Sequence, residues 1–163
     1  MIVKLYSDGA CSGNGQENGG NGGYGVVLQA WNEGEIVAER EYSQGFSCTT
    51  NNRMELLGVI TGFEKLTKPS SVEVISDSKY VIDAFLKGWI YNWQKNGWRN
   101  SQKQPVKNKD LWERLLKLIA PHEVTFTWVK GHNDHPENER CDKLAVAAYN
   151  ADNLIEDTGY VKP

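Results

Sequence analysis

The stretch Ile2-Val3-Lys4-Leu5-Tyr6-Ser7-Asp8-Gly9 runs from an apolar-rich segment into a serine, an aspartate and a glycine. It reads as a buried strand with a carboxylate at its carboxyl end. Val72-Glu73-Val74-Ile75-Ser76-Asp77 repeats the phrase and passes at once into a helix-like segment. In open α/β sheets ligands bind beyond the carboxyl ends of the strands, so two neighbouring strands that each end in Ser-Asp would bring their acids face to face. Taken singly, each aspartate is explained as readily by capping the turn after its strand.

Between the two strands, Cys11 to Gly23 is rich in glycine and asparagine. A dinucleotide fingerprint would need a helix straight after the glycines. Tyr24 to Ala30 instead reads as a strand, so the glycine run is expected to be a flexible hairpin loop. A turn at Asn32-Glu33-Gly34-Glu35 leads to a third strand, Ile36 to Ser43, which completes a meander. Thr49-Thr50-Asn51-Asn52 then offers helix-capping residues before Leu56, Val59, Ile60, Phe63 and Leu66, an apolar stripe at helical spacing. Glu55 falls on the same face as that stripe, in the first turn. A carboxylate there is costly to bury unless something uses it, although the helix dipole offsets part of the cost.

After Asp77, Ser78 to Leu86 suits a helix. The segment Trp89 to Arg99 interleaves tryptophans with bases, which fits either stacking and phosphate contact or a small satellite core. A helix from Asn108, a strand from Val124 to Val129, and a last helix opening at His135-Pro136 complete the chain. In that last helix Asp142 stands in line with Ala145, Val146 and Tyr149. The pattern is an α/β domain with a five-stranded mixed sheet, three strands in an antiparallel meander and two parallel, flanked by helices.

A chain of 163 residues fits one domain, and 39% hydrophobic with 24% charged residues is ordinary for a globular protein. No apolar run approaches the roughly 20 residues of a membrane span, and the start lacks a signal-peptide pattern. A cytoplasmic location is expected. Three widely spaced cysteines argue against a disulfide framework. The formal net charge is −3, but Lys87 to Lys117 holds eight Lys/Arg against two acids, a local +6 that leaves −9 elsewhere. That asymmetry is expected of one phosphate-contacting surface on an acidic body, or of a solvated lysine-rich face.

Asp8, Glu55, Asp77 and Asp142 come from four elements, with His132 near the last. Four carboxylates repel one another unless cations hold them together, and oxygen-only ligation selects hard ions such as Mg²⁺ or Mn²⁺. A pair of such ions about 4 Å apart serves phosphodiester hydrolysis. His132, His135 and Cys141 form no zinc set, for want of a CxxC pair or a fourth ligand.

Five stretches resemble bacterial type I ribonuclease H. They are Ser7 to Cys11, Thr49 to Leu56, Asp77 to Val81, Pro105 to Asn108, and Trp128 to His132 with His135 to Asp142, and the tail Glu156 to Tyr160 fits as well. The resemblance implies a ribonuclease H-like fold and an endonuclease that cuts the RNA strand of an RNA/DNA hybrid, leaving 5′-phosphate and 3′-hydroxyl ends. It implies roles in removing RNA primers and R-loops during replication and repair. Asp8, Glu55, Asp77 and Asp142 match the acids that hold two Mg²⁺ ions with substrate, Mn²⁺ being able to substitute, and His132 matches the residue that assists proton transfer or product release. Asn14, Asn51, Asn52 and the backbone near Cys11 match positions along the substrate groove, Thr50 resembles the DNA-phosphate contact, and Lys79 stands at a position that contacts the RNA. The stretch 89–107 resembles the family's basic handle, with Trp89, Lys95, Trp98, Arg99 and Lys103 toward the DNA strand. Residues 151–163 are expected to be a flexible tail. A monomer without an obligate protein partner and without membrane attachment is expected.

The chain departs from the family pattern in four places. The glycine loop after Asn14 is longer, Lys79 stands where glutamine is common, and Asp77 to Trp89 is longer by one residue. Asp134 sits where glycine is usual, and is expected to stiffen the His132 loop, raise the pKa of His132 or attract an outer cation. The rival readings are a transposase- or resolvase-like nuclease acting on DNA, and a hybrid-binding module that has lost catalysis. The Asn51-Asn52 pair and the handle argue against the first, and four acids placed beside phosphates argue against the second.

Overall fold

Alternation along the first strands fixes two cores on opposite faces of one sheet. The computed structural model describes residues 1–12, 20–130 and 135–160. Strands β1 (Ile2–Cys11), β2 (Gly20–Asn32) and β3 (Glu35–Thr49) form the antiparallel meander. Successive side chains leave a strand on opposite faces, so Leu5, Val26 and Leu28 enter the larger core while Tyr6 and Val27 enter the smaller. Helix α1 (Asn51–Glu64) packs on the first face, and the Thr50 hydroxyl caps it by accepting the Arg53 amide at 3.3 Å. Such a cap contributes about 1 kcal/mol.

Strand β4 (Ser71–Ser76) lies parallel to β1 and is followed by α2 (Lys79–Leu86), α3 (Trp89–Lys95) and α4 (Lys109–Ile119). Strand β5 (Glu123–Trp128) adds a second parallel pairing beside β4, and α5 (Pro136–Tyr149) crosses the second face. Phe85 and Phe126 stack at 4.2 Å and join α2 to β5 in the larger core. Among the described residues no helix is long and apolar enough to cross a membrane.

The mixed sheet is the expected one with a short sixth strand, in the order β5-β4-β1-β2-β3-β6. Strand β6 (Ile155–Glu156) pairs parallel with Phe46 and Ser47 of β3. It arises from the segment expected to be a flexible tail, and Asp157 beside it is buried against Arg53 and Thr49. Residues 155–157 are therefore fastened rather than free.

Two further expectations change. Strand β2 begins at Gly20 and β3 continues to Thr49, so part of the glycine run and the polar segment after Ser43 are sheet. The physical reason is helix packing from far along the chain. A Cβ on Gly23 would lie 2.6 Å from the Ala145 carbonyl oxygen, and one on Gly45 would meet the Ala148 carbonyl, so glycine lets α5 settle on β2 and β3. The handle is held by backbone pairing as well. After α3, Arg99 bridges to Pro105, and the Val106 amide donates to the Trp98 carbonyl at 2.9 Å.

Candidate active site

Parallel register sets the distance between the two central acids. The last paired rung of β1 and β4 joins Tyr6 to Ile75, and Asp8 and Asp77 each stand two residues beyond it. The turn after Asp77 is shaped by its neighbours: the Ser78 amide donates to the Ser76 hydroxyl at 3.0 Å, and the Ser78 hydroxyl caps α2 by accepting the Val81 amide. The Trp128 indole N–H donates to the Asp77 carbonyl at 3.1 Å and fastens the same turn to β5.

Glu55 arrives from α1 because Gly9 leaves room for it. A Cβ on Gly9 would lie 2.6 Å from the Glu55 amide nitrogen and 2.7 Å from the Met54 carbonyl carbon. With glycine there, the first turn of α1 seats directly on β1. Asp8, Glu55 and Asp77 consequently each present an oxygen within 4.8 Å of the others. Asp142, on the first half of α5, stands close enough to Asp8 for its charge to raise that carboxyl. The four acids of the sequence reading thus gather at one end of the central strands.

The electrostatics of this cluster are unfavourable without a cation. Burial first, then the charges of Asp77 and Asp142, push the Asp8 carboxyl up to about 8, against an opposing bond from the Gly9 amide. That amide donates to Asp8 Oδ1 at 2.9 Å. Burial, followed by the charges of Asp8 and Asp77, raises Glu55 well above the usual carboxylate range. None of the ion pairs among the described residues involves these four acids. Glu55 Oε2 is buried with no hydrogen-bond partner. An orphaned carboxylate oxygen inside an all-oxygen trio fits a hard divalent cation, which would neutralise the repulsion and satisfy that oxygen.

The remaining expected residues fall into groups. Cys11 Sγ donates to the Thr49 carbonyl at 3.7 Å, and Thr50, Asn51 and Asn52 follow at the start of α1, close to Glu55 in sequence and space. Lys79 Nζ sits 4.8 Å from the centre of the Trp128 ring, so a cation and a half-exposed aromatic face stand beside Asp77. In the handle, Lys95, Arg99 and Lys103 are exposed, and the Arg99 guanidinium donates to the Lys103 carbonyl at 3.0 Å. The tryptophans divide: Trp93 and Trp98 pack against the larger core, whereas Trp89 is exposed with Lys87 over its ring. Asn14, His132 and Asp134 lie outside the described residues. Cys141, from the rejected zinc set, is an apolar core residue beside Tyr6, Val27 and Ile75.

Two side chains at the site escaped the sequence reading. Trp128 falls in a strand and in one of the resembling stretches but carries no site role there, and its contact with Asp77 crosses from β5 to the turn after β4. Asn138, on α5, is almost fully buried, and its Nδ2 lies 3.5 Å from Asp77 Oδ2. Its one visible signal was its spacing of four residues before Asp142, which puts both on one helix face.

Comparison with known proteins agrees over nearly the whole chain. The family model described as RNase H matches residues 1–150. A ribonuclease H of Lachnoclostridium phytofermentans is 50% identical over 157 residues, covering 96% of this chain and 98% of the relative. A ribonuclease HI of Synechocystis sp. is 48% identical over 160 residues, covering 98% of this chain and 95% of the relative. Among solved structures, the crystal structure of LC9-RNase H1, described as a type 1 RNase H with the type 2 active-site motif, superposes with a TM-score of 0.82. It is 32% identical, and the match covers 99% of this chain and 77% of the other.

Proposed function

The chain belongs to the RNase H family, and from that membership we propose that it hydrolyses the RNA strand of RNA/DNA hybrids with two divalent cations. The products carry 5′-phosphate and 3′-hydroxyl ends. The observation that carries the metal-dependent chemistry is the trio Asp8, Glu55 and Asp77, with oxygens within 4.8 Å and Glu55 Oε2 unpartnered.

Asp8 on β1 and Asp77 just beyond the parallel strand β4 would be the central ligands, with Glu55 and Asp142 completing the donor set. When bound, the cations supply Lewis acidity that activates water at neutral pH and stabilises the charge on the leaving oxygen. Mg²⁺ is the ion that keeps waters and binds substrate phosphates in such sites, and Mn²⁺ can substitute. The chain's own part is placement. Gly9 admits α1 so that Glu55 reaches the trio, and Trp128 with Ser76 and Ser78 holds the Asp77 turn. His132 is assigned proton transfer or product release on the family resemblance.

Hybrid selectivity requires one groove that reads 2′-hydroxyls and another that takes deoxyribose. Cys11, Asn14, Thr50, Asn51, Asn52 and Lys79 are assigned to the substrate groove around the acids. Trp89, Lys95, Trp98, Arg99 and Lys103 are assigned to the DNA side, with the exposed bases meeting phosphates and Trp98 bracing the handle from its packed position. The biological task is removal of RNA primers and R-loops, carried out in the cytoplasm by a monomer.

The test presents one RNA sequence as RNA/DNA hybrid, as RNA/RNA duplex and as single strand, with Mg²⁺ or EDTA. Cleavage of RNA in the hybrid alone, dependent on the cation, is the expected result. Cleavage of all three would contradict the hybrid assignment. Tight hybrid binding with no cleavage under any cation would leave a binding module.

A further inference from the structure

One buried polar side chain at the site has no evident structural use. Asn138 is only 3% exposed. It is the third residue of α5, where a capping bond to the backbone could be made, yet among the described residues its one side-chain partner is Asp77 Oδ2, 3.5 Å from Nδ2. Its carbonyl oxygen Oδ1 is buried with no partner. Burying an amide with half its bonding capacity unmet costs free energy that an apolar side chain of the same shape would avoid.

Its position shows what it can serve. Asn138 and Asp142 are four residues apart and share one face of α5. Asp142 meets Asp8, and Asn138 meets Asp77. One helix thus addresses both central acids, the first with a carboxylate and the second with a neutral amide. A second carboxylate against Asp77 would add repulsion to a cluster already burdened with it, whereas an amide N–H stabilises the ionised form and fixes its orientation. The 3.5 Å separation is at the outer limit of a hydrogen bond, and such bonds tighten when the full complex assembles.

Resting on the function proposed above, we propose that Asn138 is the positioning residue for Asp77. Its amide N–H holds Asp77 Oδ2, so that the other oxygen faces the trio. Its unpartnered Oδ1 accepts a hydrogen bond from a water of the hydrated cation bound there. Asn138 touches neither the scissile phosphate nor the cation itself.

The test uses the full chain with Asn138→Leu, which keeps the side-chain shape and removes both polar ends, and Asn138→Ser, which restores a small donor and acceptor. Mn²⁺ affinity is measured calorimetrically without substrate, thermal stability is measured in EDTA, and kcat and KM are measured on a hybrid across Mg²⁺ concentrations. Asn138→Leu is expected to melt no lower than the parent in EDTA, yet to bind Mn²⁺ at least about tenfold more weakly. Its kcat should fall at limiting Mg²⁺ and recover as Mg²⁺ rises, with KM for the hybrid unchanged. Asn138→Ser should fall between the two, and it carries the test if the leucine variant does not fold. A purely structural role would give the reverse pattern, lower stability with parental Mn²⁺ affinity, and that result overturns the proposal while leaving the nuclease assignment intact. If the unaltered protein fails to cut hybrids at all, the assignment itself falls and the proposal with it.

Discussion

Arg53 Nε and Asp157 Oδ2 meet at 2.6 Å in the interior, 104 residues apart in sequence. Both side chains are at least nine-tenths buried, and Asp157 also accepts the Thr49 hydroxyl at 2.7 Å. The guanidinium reaches Asp110 at 2.9 Å and Asn108 at 3.2 Å as well, so α1, α4 and the C-terminal segment share one cation. Arg53 lies two residues from Glu55 on α1, which makes this knot a support for the site.

Removing one member of a buried pair strands the other charge, at a cost of about 3–5 kcal/mol. Asp157→Ala should therefore lose stability of that order in urea unfolding. Asp110 is about half exposed and should matter far less. Burial pulls the Asp110 carboxyl up, but its bond and charge contact with Arg53 outweigh that and hold it below the ordinary value. Its contribution is present above the ordinary carboxylate range and lost as pH falls through the depressed value. Equal losses for the two alanine variants would contradict the assignment of Asp157 as the main anchor.

The acid cluster has the opposite pH dependence. Because the folded Asp8 carboxyl is raised to about 8 by burial and its acidic neighbours, the metal-free folded state holds more protons than the unfolded chain from about pH 4 upward. Stability should thus decline as pH rises through that window toward 8. Asp8→Asn should flatten the slope and raise the metal-free melting temperature at pH 8 by at least about 3 °C, the equivalent of about 1 kcal/mol in a chain of this size. Mg²⁺ should restore the unaltered protein and not the variant. A melting profile unchanged by the substitution would show that the acids do not repel as their geometry requires.

Gly9 offers a steric test of the same site. A methyl group there would press on the Glu55 amide, and overpacking of this kind costs about 1–3 kcal/mol. Gly9→Ala should lower stability by that amount and weaken Mg²⁺ binding by displacing α1 from Asp8. Lost stability with full cation affinity would mean that Glu55 is not a ligand.

The handle can be tested through salt. Lys95, Arg99 and Lys103 are exposed on one short segment, and each phosphate contact removed should lower the slope of log affinity against log salt by roughly one. Replacing all three by glutamine should weaken hybrid binding and flatten that slope, with little effect on stability. An unaltered slope would remove these residues from the interface.

The parts of this site that were legible in the sequence are those written locally. Ser7-Asp8 and Ser76-Asp77 end apolar runs, and the stripe from Leu56 to Phe63 places Glu55 on the buried face. What could not be read depends on partners distant in the chain. Gly23 resembles a loop residue until α5 is laid across it, and nothing near Arg53 in sequence announces its buried partner Asp157. The tryptophans illustrate the same limit: Trp89 and Trp93 have similar neighbours in sequence, but only Trp93 finds Trp112, at 5.5 Å, to pack against. The four-residue spacing of Asn138 from Asp142 acquires meaning only once the burial of Asn138 is known.

The most direct measurement is cleavage of an RNA/DNA hybrid by the unaltered chain and by Asp8→Asn, with hybrid affinity measured on the same preparations. The expected result is RNA cleavage by the unaltered protein with Mg²⁺, none in EDTA, and none by the variant although it still binds the hybrid. Cleavage by Asp8→Asn at the parental rate would contradict the assignment of the chemistry to the Asp8, Glu55 and Asp77 cluster.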